Sequence, residues 1–345
     1  MIRFESDYLE GAHPKIMQAL CDTNRVQTPG YGKDPYCEEA RMLIKKQCQR
    51  EDIDVHFLVG GTQTNKTVIA SILRPYQGAL CADSGHINVH ETGAIENTGH
   101  KVLAMPGVEG KISAEQVKAY VEAHRNDTDA EHMVQPGLVY ISHPTEYGTL
   151  YSKEELTALS KVCRQYQLPL FLDGARLGFG LTAKGSDITL SDLAVLCDVF
   201  YIGGTKVGAL FGEAVIITQE ILKKDFRYFI KQQGGMLAKG RLLGIQFKAL
   251  FEDQTYFEIG KKANEQAERI KEAFTETGHD FLFDSYTNQQ FPIITNEEKA
   301  YLEERFSFSY WCQVDEKHCA VRFCTSWATS EDNVEALIAA IKVYK

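Results

Sequence analysis

Residues 199–210 read Val199-Phe-Tyr-Ile-Gly-Gly-Thr-Lys206-Val-Gly-Ala-Leu210. An apolar run makes a buried strand, two glycines and a threonine turn the chain, and one lysine follows. Lysine is ordinarily left on solvated faces, so its place in this apolar, glycine-rich setting points to chemistry. Upstream by 33 positions, Leu170-Phe-Leu-Asp173-Gly-Ala-Arg176 ends another apolar run on an acid. Buried strands with their polar residues at the ends are the pattern of an α/β sheet whose ligands sit beyond the strand tips. An acid at one tip and a lysine at another form the pair that pyridoxal phosphate (PLP) requires. Asp173 would keep the pyridine nitrogen protonated, and Lys206 would form the Schiff base. Alone, Asp173 reads equally well as a helix cap, while an exposed turn lysine is the lesser reading of Lys206; their combination favours the cofactor.

Working outward, the runs Val55–Val59, Gly137–Ser142, Leu168–Asp173 and Val199–Gly203 read as buried parallel strands. Ala214–Thr218 reads as an antiparallel addition, because only a short turn separates it from Lys206. Helices are predicted over Lys66–Leu73 and Lys153–Tyr166. After about residue 240 the character changes to two amphipathic helices, Arg241–Phe251 and Tyr256–Gly278. Strands at Phe291–Ile294, Phe306–Ser309 and Ala320–Cys324 follow, then a helix Glu331–Tyr344 with Ser330 as its N-cap. The prediction is a large α/β domain with a mostly parallel sheet over 1–240 and a smaller α+β domain over 241–345.

The composition narrows the function. With 345 residues, 44% of them hydrophobic and 24% charged, the chain can bury two cores. A net charge of −10 without a basic run argues against nucleic acid. No apolar stretch approaches the length of a membrane span, and no signal-peptide pattern opens the chain, so a cytoplasmic enzyme is expected. The nine cysteines show no Cys-x-x-Cys pair and read as reduced thiols. Cys312, His318, Cys319 and Cys324 read as packed thiols and a surface histidine, and no metal ligand is assigned.

Further site candidates gather around the central pair. Gly60-Gly61-Thr62-Gln63 opens a helix after a strand, where backbone N–H groups can receive a phosphate. Arg176 offers a planar fork to a phosphate or a carboxylate. His86 could stack on a planar ring and move a proton, with His90 and Glu91 nearby.

These residues give the chain a resemblance to the threonine aldolase and β-eliminating lyase family of PLP enzymes, which have the aspartate-aminotransferase-like fold (fold type I). The Asp173-Gly-Ala-Arg176-Leu run carries it most directly. Thr205-Lys206-Val-Gly-Ala, Gly60-Gly61-Thr62, His86-Ile, Gly30-Tyr31-Gly-Lys-Asp-Pro, Phe4-Glu-Ser6-Asp, Gln233-Gly-Gly-Met and Val321-Arg322-Phe-Cys-Thr-Ser-Trp resemble further family segments. The resemblance implies that Gly61, Thr62, Gln63, His86, Asp173, Arg176, Thr205 and Lys206 hold PLP. It implies that Ser6, Tyr31, Arg176 and Arg322 hold the substrate, and that Lys206, His86 and Asp173 carry the catalysis. It further implies a homodimer or homotetramer acting on a small amino acid, with Tyr31 and the region around Lys239 reaching a neighbouring cofactor. The reaction implied is Cα–Cβ cleavage of L-threonine or L-allo-threonine to glycine and an aldehyde.

Two segments depart from the family. Ser142-His143-Pro-Thr145-Glu146-Tyr-Gly148 replaces Glu-Asn-Thr-His-Asn, which displaces the family's active-site histidine. Leu237 stands where the family has a phosphate-directed arginine, a role that Lys239 or Arg241 could fill. The altered loop motivates a second expectation, β-elimination or transamination of another amino acid. Non-catalytic PLP binding is a third. The candidate bases are His86, His143, Glu91 or a water they hold.

Overall fold

The computed structural model describes residues 1–344. Thirteen strands order the chain: β1 (Ile2–Arg3), β2 (Asp54–Leu58), β3 (Gln77–Ala82), β4 (Lys101–Met105), β5 (Gln135–Ser142), β6 (Leu170–Asp173), β7 (Val199–Gly203), β8 (Glu213–Ile217), β9 (Gln289–Gln290), β10 (Ile293–Thr295), β11 (Phe306–Ser307), β12 (Ser309–Gln313) and β13 (His318–Cys324). β2 to β8 form one seven-stranded sheet in the order β2-β8-β7-β6-β5-β3-β4. β8 runs against both its neighbours, and the other pairings are parallel.

β2 was expected to pair in parallel. It runs in the common direction, but it sits at the sheet edge and bonds only to the reversed β8. β3 and β4 were not anticipated. Gln77-Gly-Ala-Leu-Cys-Ala and Lys101-Val-Leu-Ala-Met are short and low in β-branched residues, so their signal is weak beside the Val- and Ile-rich runs.

Side-chain alternation along the central strands separates two cores. Leu80, Val139, Leu172, Phe200 and Ile216 face one side, packed with Ile44, Leu156, Leu243 and Tyr256. Ala79, Leu138, Phe171, Tyr201 and Val215 face the other, packed with Val68, Ile69 and Phe226. The helices Arg241–Glu252 and the first part of Thr255–Glu276 belong to the former core through Leu243, Phe247 and Ala263. A third core begins at Ile270 and takes in Phe274, Ile294, Phe306, Phe323 and Leu337. Leu243, Phe247 and Ala263, all beyond residue 240, thus pack into a core of the large sheet.

The small sheet is antiparallel, in the order β10-β13-β12, with β9 pairing the end of β13. The helix Glu331–Tyr344 covers this third core through Val334 and Leu337, and Ser330 accepts a hydrogen bond from the Asn333 N–H as anticipated. β1 joins the far end of the chain, pairing in parallel with β11, and Phe4 is buried in the third core. No helix among the described residues is long and apolar enough to cross a membrane.

Candidate active site

The sheet positions the central carboxylate. β6 lies between β5 and β7, and Asp173 is its last residue. Tyr140 from β5 donates to Asp173 Oδ2 at 2.6 Å, and Tyr201 from β7 donates to Oδ1 at 2.5 Å. Both tyrosines are fully buried, so each hydroxyl needs a partner, and Asp173 supplies it. The helix Gly61–Ile72 adds Asn65, whose Nδ2 donates to Asp173 Oδ2 at 3.0 Å and to Glu91 Oε1 at 2.7 Å. Burial raises the Asp173 pKa, but the His86 charge, the two tyrosine hydroxyls and the Ala175 N–H outweigh it and hold the carboxyl below its ordinary range. Asp173 is thus an ionised carboxylate at a strand tip.

Gly174 makes the strand tip possible. A Cβ here would stand 1.9 Å from the Tyr201 carbonyl oxygen, so the chain from Asp173 to Arg176 can lie against β7 only without a side chain.

Lys206 lies in the turn between β7 and β8, on the same cleft. Burial and then the Arg176 charge lower its pKa, opposed by Asp7, Asp173 and Glu213. Glu213, the first residue of β8, accepts from the Gly204 N–H at 3.1 Å and from Thr205 Oγ1 at 2.9 Å, which fixes the turn that carries the lysine. Burial pushes the Glu213 carboxyl up to about 8.

The cleft measures about 590 Å³ and brings together Gly61, Thr62, His86, Asp173, Arg176, Thr205, Lys206 and Arg322. His86 Nδ1 lies 2.8 Å from Glu91 Oε1. Burial lowers the imidazole pKa, but the Glu91 bond and the Asp173 charge raise it further, so the ring is held toward its cationic form. Arg322 Nη1 donates to Gln289 Oε1 at 3.2 Å and Nη2 to the Glu5 carbonyl at 3.1 Å, while Nε is buried without a partner.

Four expected contributors sit otherwise. Gln63 turns its side chain away: its Oε1 accepts from the Val59 N–H at 3.1 Å and its Nε2 donates to the Gln233 carbonyl at 3.2 Å. Arg176 borders the cleft, but Asp7 takes its Nε at 2.7 Å and its Nη2 at 3.1 Å, so little of its fork is left for a ligand. Ser6 does not line the cleft, and its Oγ is buried without a partner. Tyr31, expected to reach a neighbouring cofactor, does not line this cleft: its carbonyl is taken by Arg227 and its ring stands 5.2 Å from Lys231 Nζ, and the adjoining Gly32 and Lys33 line a separate cleft of about 720 Å³. His143 is sealed in the interior with both ring nitrogens unpartnered, and burial pushes its pKa down to about 4. Arg241 is also committed, to the backbone carbonyls of Thr23 and Val26.

Residues that the sequence did not mark as functional complete the arrangement: Asp7, Asn65, Tyr140, Tyr201 and Glu213. Tyr201 carried one legible signal, a phenol within an apolar strand that must find a partner. Asp7 carried none, because its partner Arg176 is remote in sequence.

The residues fit PLP by the chemistry of the donor set. The helix Gly61–Ile72 begins without any side chain capping it, so its first N–H groups are open to a phosphate. A Cβ on Gly61 would stand 3.2 Å from the Tyr201 hydroxyl, so only glycine keeps that approach uncrowded. An ionised aspartate and a lysine of lowered pKa share the same cleft.

Comparison with known proteins agrees. A family model described as beta-eliminating lyase matches residues 4–297. The chain is 27% identical to the low specificity L-threonine aldolase of Pseudomonas aeruginosa, over 99% of this chain and 97% of that one. It superimposes on a Leishmania major threonine aldolase with a TM-score of 0.97 and 43% identity, covering 100% of this chain and 99% of the other. An aspartate aminotransferase from Thermus thermophilus, 15% identical, gives a TM-score of 0.72 over 100% of this chain and 92% of its own and shares the fold.

Proposed function

The chain belongs to the beta-eliminating lyase family, and from that premise we propose that it is a PLP-dependent aldehyde-lyase that cleaves L-threonine or L-allo-threonine to glycine and acetaldehyde. The observation that carries the proposal is the ionised Asp173, flanked by Tyr140 and Tyr201, in one cleft with a lysine whose pKa is lowered. The family is PLP-dependent in general, and the 43% identity to a threonine aldolase over the full chain favours aldol cleavage.

Bound PLP supplies an electron sink for the pair left on Cα when the Cα–Cβ bond breaks. Thr62 and the N–H groups that open the helix Gly61–Ile72 would receive its phosphate, Asp173 would hold the pyridine nitrogen protonated, and His86 would flank the ring. Lys206 would be the amine that holds the cofactor. Its lowered pKa keeps more of it neutral, which a nucleophilic amine requires. Arg322, with an unpartnered Nε, would take the substrate carboxylate and so set which bond at Cα stands ready to break. We further propose a cytoplasmic homodimer or homotetramer, in which Tyr31 reaches a neighbouring site.

The test is a visible spectrum of the protein mixed with PLP, then L-threonine and L-allo-threonine with aldehyde detection, with Lys206→Ala as control. A Lys206-dependent absorbance band together with acetaldehyde supports the reading. A band with ammonia and a keto acid in place of acetaldehyde replaces it with β-elimination, and no band refutes it.

A further inference from the structure

Glu146 stands four residues beyond the end of β5 and lines the cleft with His86, Asp173 and Lys206. Its Oε1 accepts from Ser142 Oγ at 2.6 Å and from the His86 backbone N–H at 2.9 Å. Both anchors fall on one oxygen, which leaves Oε2 for the cleft. Burial raises the carboxyl's pKa, the Ser142 and His86 bonds offset part of that, and the Asp173 charge adds to it. The other titratable groups around it are His86, Tyr140, Tyr147, Tyr151 and Cys81.

The rival proton acceptors are poorly placed. His86 is held toward its cationic form by Glu91, His143 is sealed in the interior, and Glu91 is buried behind His86 and Asn65. His90 is exposed at the cleft edge. Glu146 combines enclosure, fixed orientation and an available oxygen.

We propose that Glu146 carries the β-hydroxyl proton of the substrate. This rests on the reading of the site as an aldolase site. The hydroxyl proton passes to Oε2 as the Cα–Cβ bond breaks. The O–H pair becomes the second bond of the aldehyde carbonyl, and the Cα–Cβ pair stays with Cα, a charge left to the bound PLP. A solvent proton then adds to Cα to give glycine, and Glu146 returns its proton to water, so the net products are glycine and an aldehyde. Ser142 and the His86 N–H are positioning groups that fix Oε1.

The experiment compares the wild-type holoenzyme with Glu146→Gln and Ser142→Ala. Glutamine keeps an oxygen for both anchors but cannot take the proton. Glu146→Gln is expected to retain the visible band with PLP and its glycine affinity, and to lose aldehyde release by about 10²- to 10⁴-fold in kcat, the usual worth of general acid–base catalysis. In the PLP-free protein, part of the protonated-carboxyl infrared band that persists above the ordinary glutamate range should vanish in Glu146→Gln. Ser142→Ala removes a bond that lowers the carboxyl's pKa, so the acid limb of kcat should move to higher pH. Aldehyde release by Glu146→Gln at near the wild-type rate overturns the proposal and assigns Glu146 to anchoring alone. An unmoved limb in Ser142→Ala overturns it too, and decides the matter if Glu146→Gln fails to fold. A wild-type protein that binds PLP but releases no aldehyde refutes instead the aldolase reading on which this proposal rests.

Discussion

Asp7→Asn tests whether charge holds the N-terminal segment to the large sheet. Asp7 is buried and accepts two hydrogen bonds from Arg176 and one from Asn288. Burial raises its pKa, but the charges of Arg176 and Lys206 and the bonds from Arg176 and Asn288 bring it from 3.8 down to about 2. A carboxyl with a folded pKa below its unfolded one stabilises the fold when ionised. That contribution is complete above the unfolded value and is lost as pH falls through the folded one. The gap between 3.8 and about 2 amounts to about 2.4 kcal/mol at pH 7 and about 1.3 kcal/mol at pH 3. Asparagine also leaves the buried Arg176 guanidinium without its counter-charge, and breaking a buried pair in this way costs about 3–5 kcal/mol. The variant should therefore lose about 2–5 kcal/mol at pH 7 in urea unfolding followed by far-ultraviolet circular dichroism. The deficit should shrink by about 1 kcal/mol at pH 3, where wild-type Asp7 has begun to protonate. A deficit within about 0.5 kcal/mol of zero at pH 7, or one equal at both pH values, refutes the charge argument.

Tyr201→Phe removes a hydroxyl from Asp173, and PLP affinity should fall about tenfold or more, because a hydrogen bond to a charged group contributes about 1.5–3 kcal/mol; titrating PLP-free protein with cofactor and following absorbance checks it. Arg322→Lys loses the planar fork, so KM for the amino acid should rise about tenfold with a smaller change in kcat; steady-state aldehyde assays separate the two. His143 is neutral when folded, with a pKa of about 4 against 6.5. The wild type should therefore lose about 2 kcal/mol between pH 7.5 and pH 5 from this group, as the unfolded chain takes up the proton first, and His143→Gln should flatten that slope in thermal unfolding.

The sequence made the central sheet legible where strands were dense in valine, isoleucine and leucine, as in Val199–Gly203 and Leu170–Asp173. It hid β3 and β4, whose alanines and glycine carry no strong periodicity. The site was legible where chemistry demanded an unusual residue, such as Lys206 in a glycine turn or Asp173 ending an apolar run. It was illegible where a role comes from long-range pairing. Nothing local in Ser6-Asp7 says that Asp7 will occupy the fork of Arg176, or that Gln63 will turn back to Val59 and Gln233. His143 looked available because sequence does not report burial. Glu146 lay in the Ser142–Gly148 loop from which the family's histidine is displaced, and the acid type concealed it.

The parallel pairing of β1 with β11 also bears on the order in which the molecule is made. Ile2 and Arg3 leave the ribosome roughly 300 residues ahead of their partners Phe306 and Ser307, a delay of about 15–60 s at ordinary translation rates of about 5–20 residues per second. During that interval the strands of the large sheet can assemble around Asp173 and Lys206 while the leading segment has no berth of its own. The segment carrying Asp7 has its docking surface complete only when the third core closes over Phe4. The nascent chain is thus predicted to bind PLP weakly until the residues of the third core have emerged, which postpones commitment to the cofactor until after the large sheet can assemble.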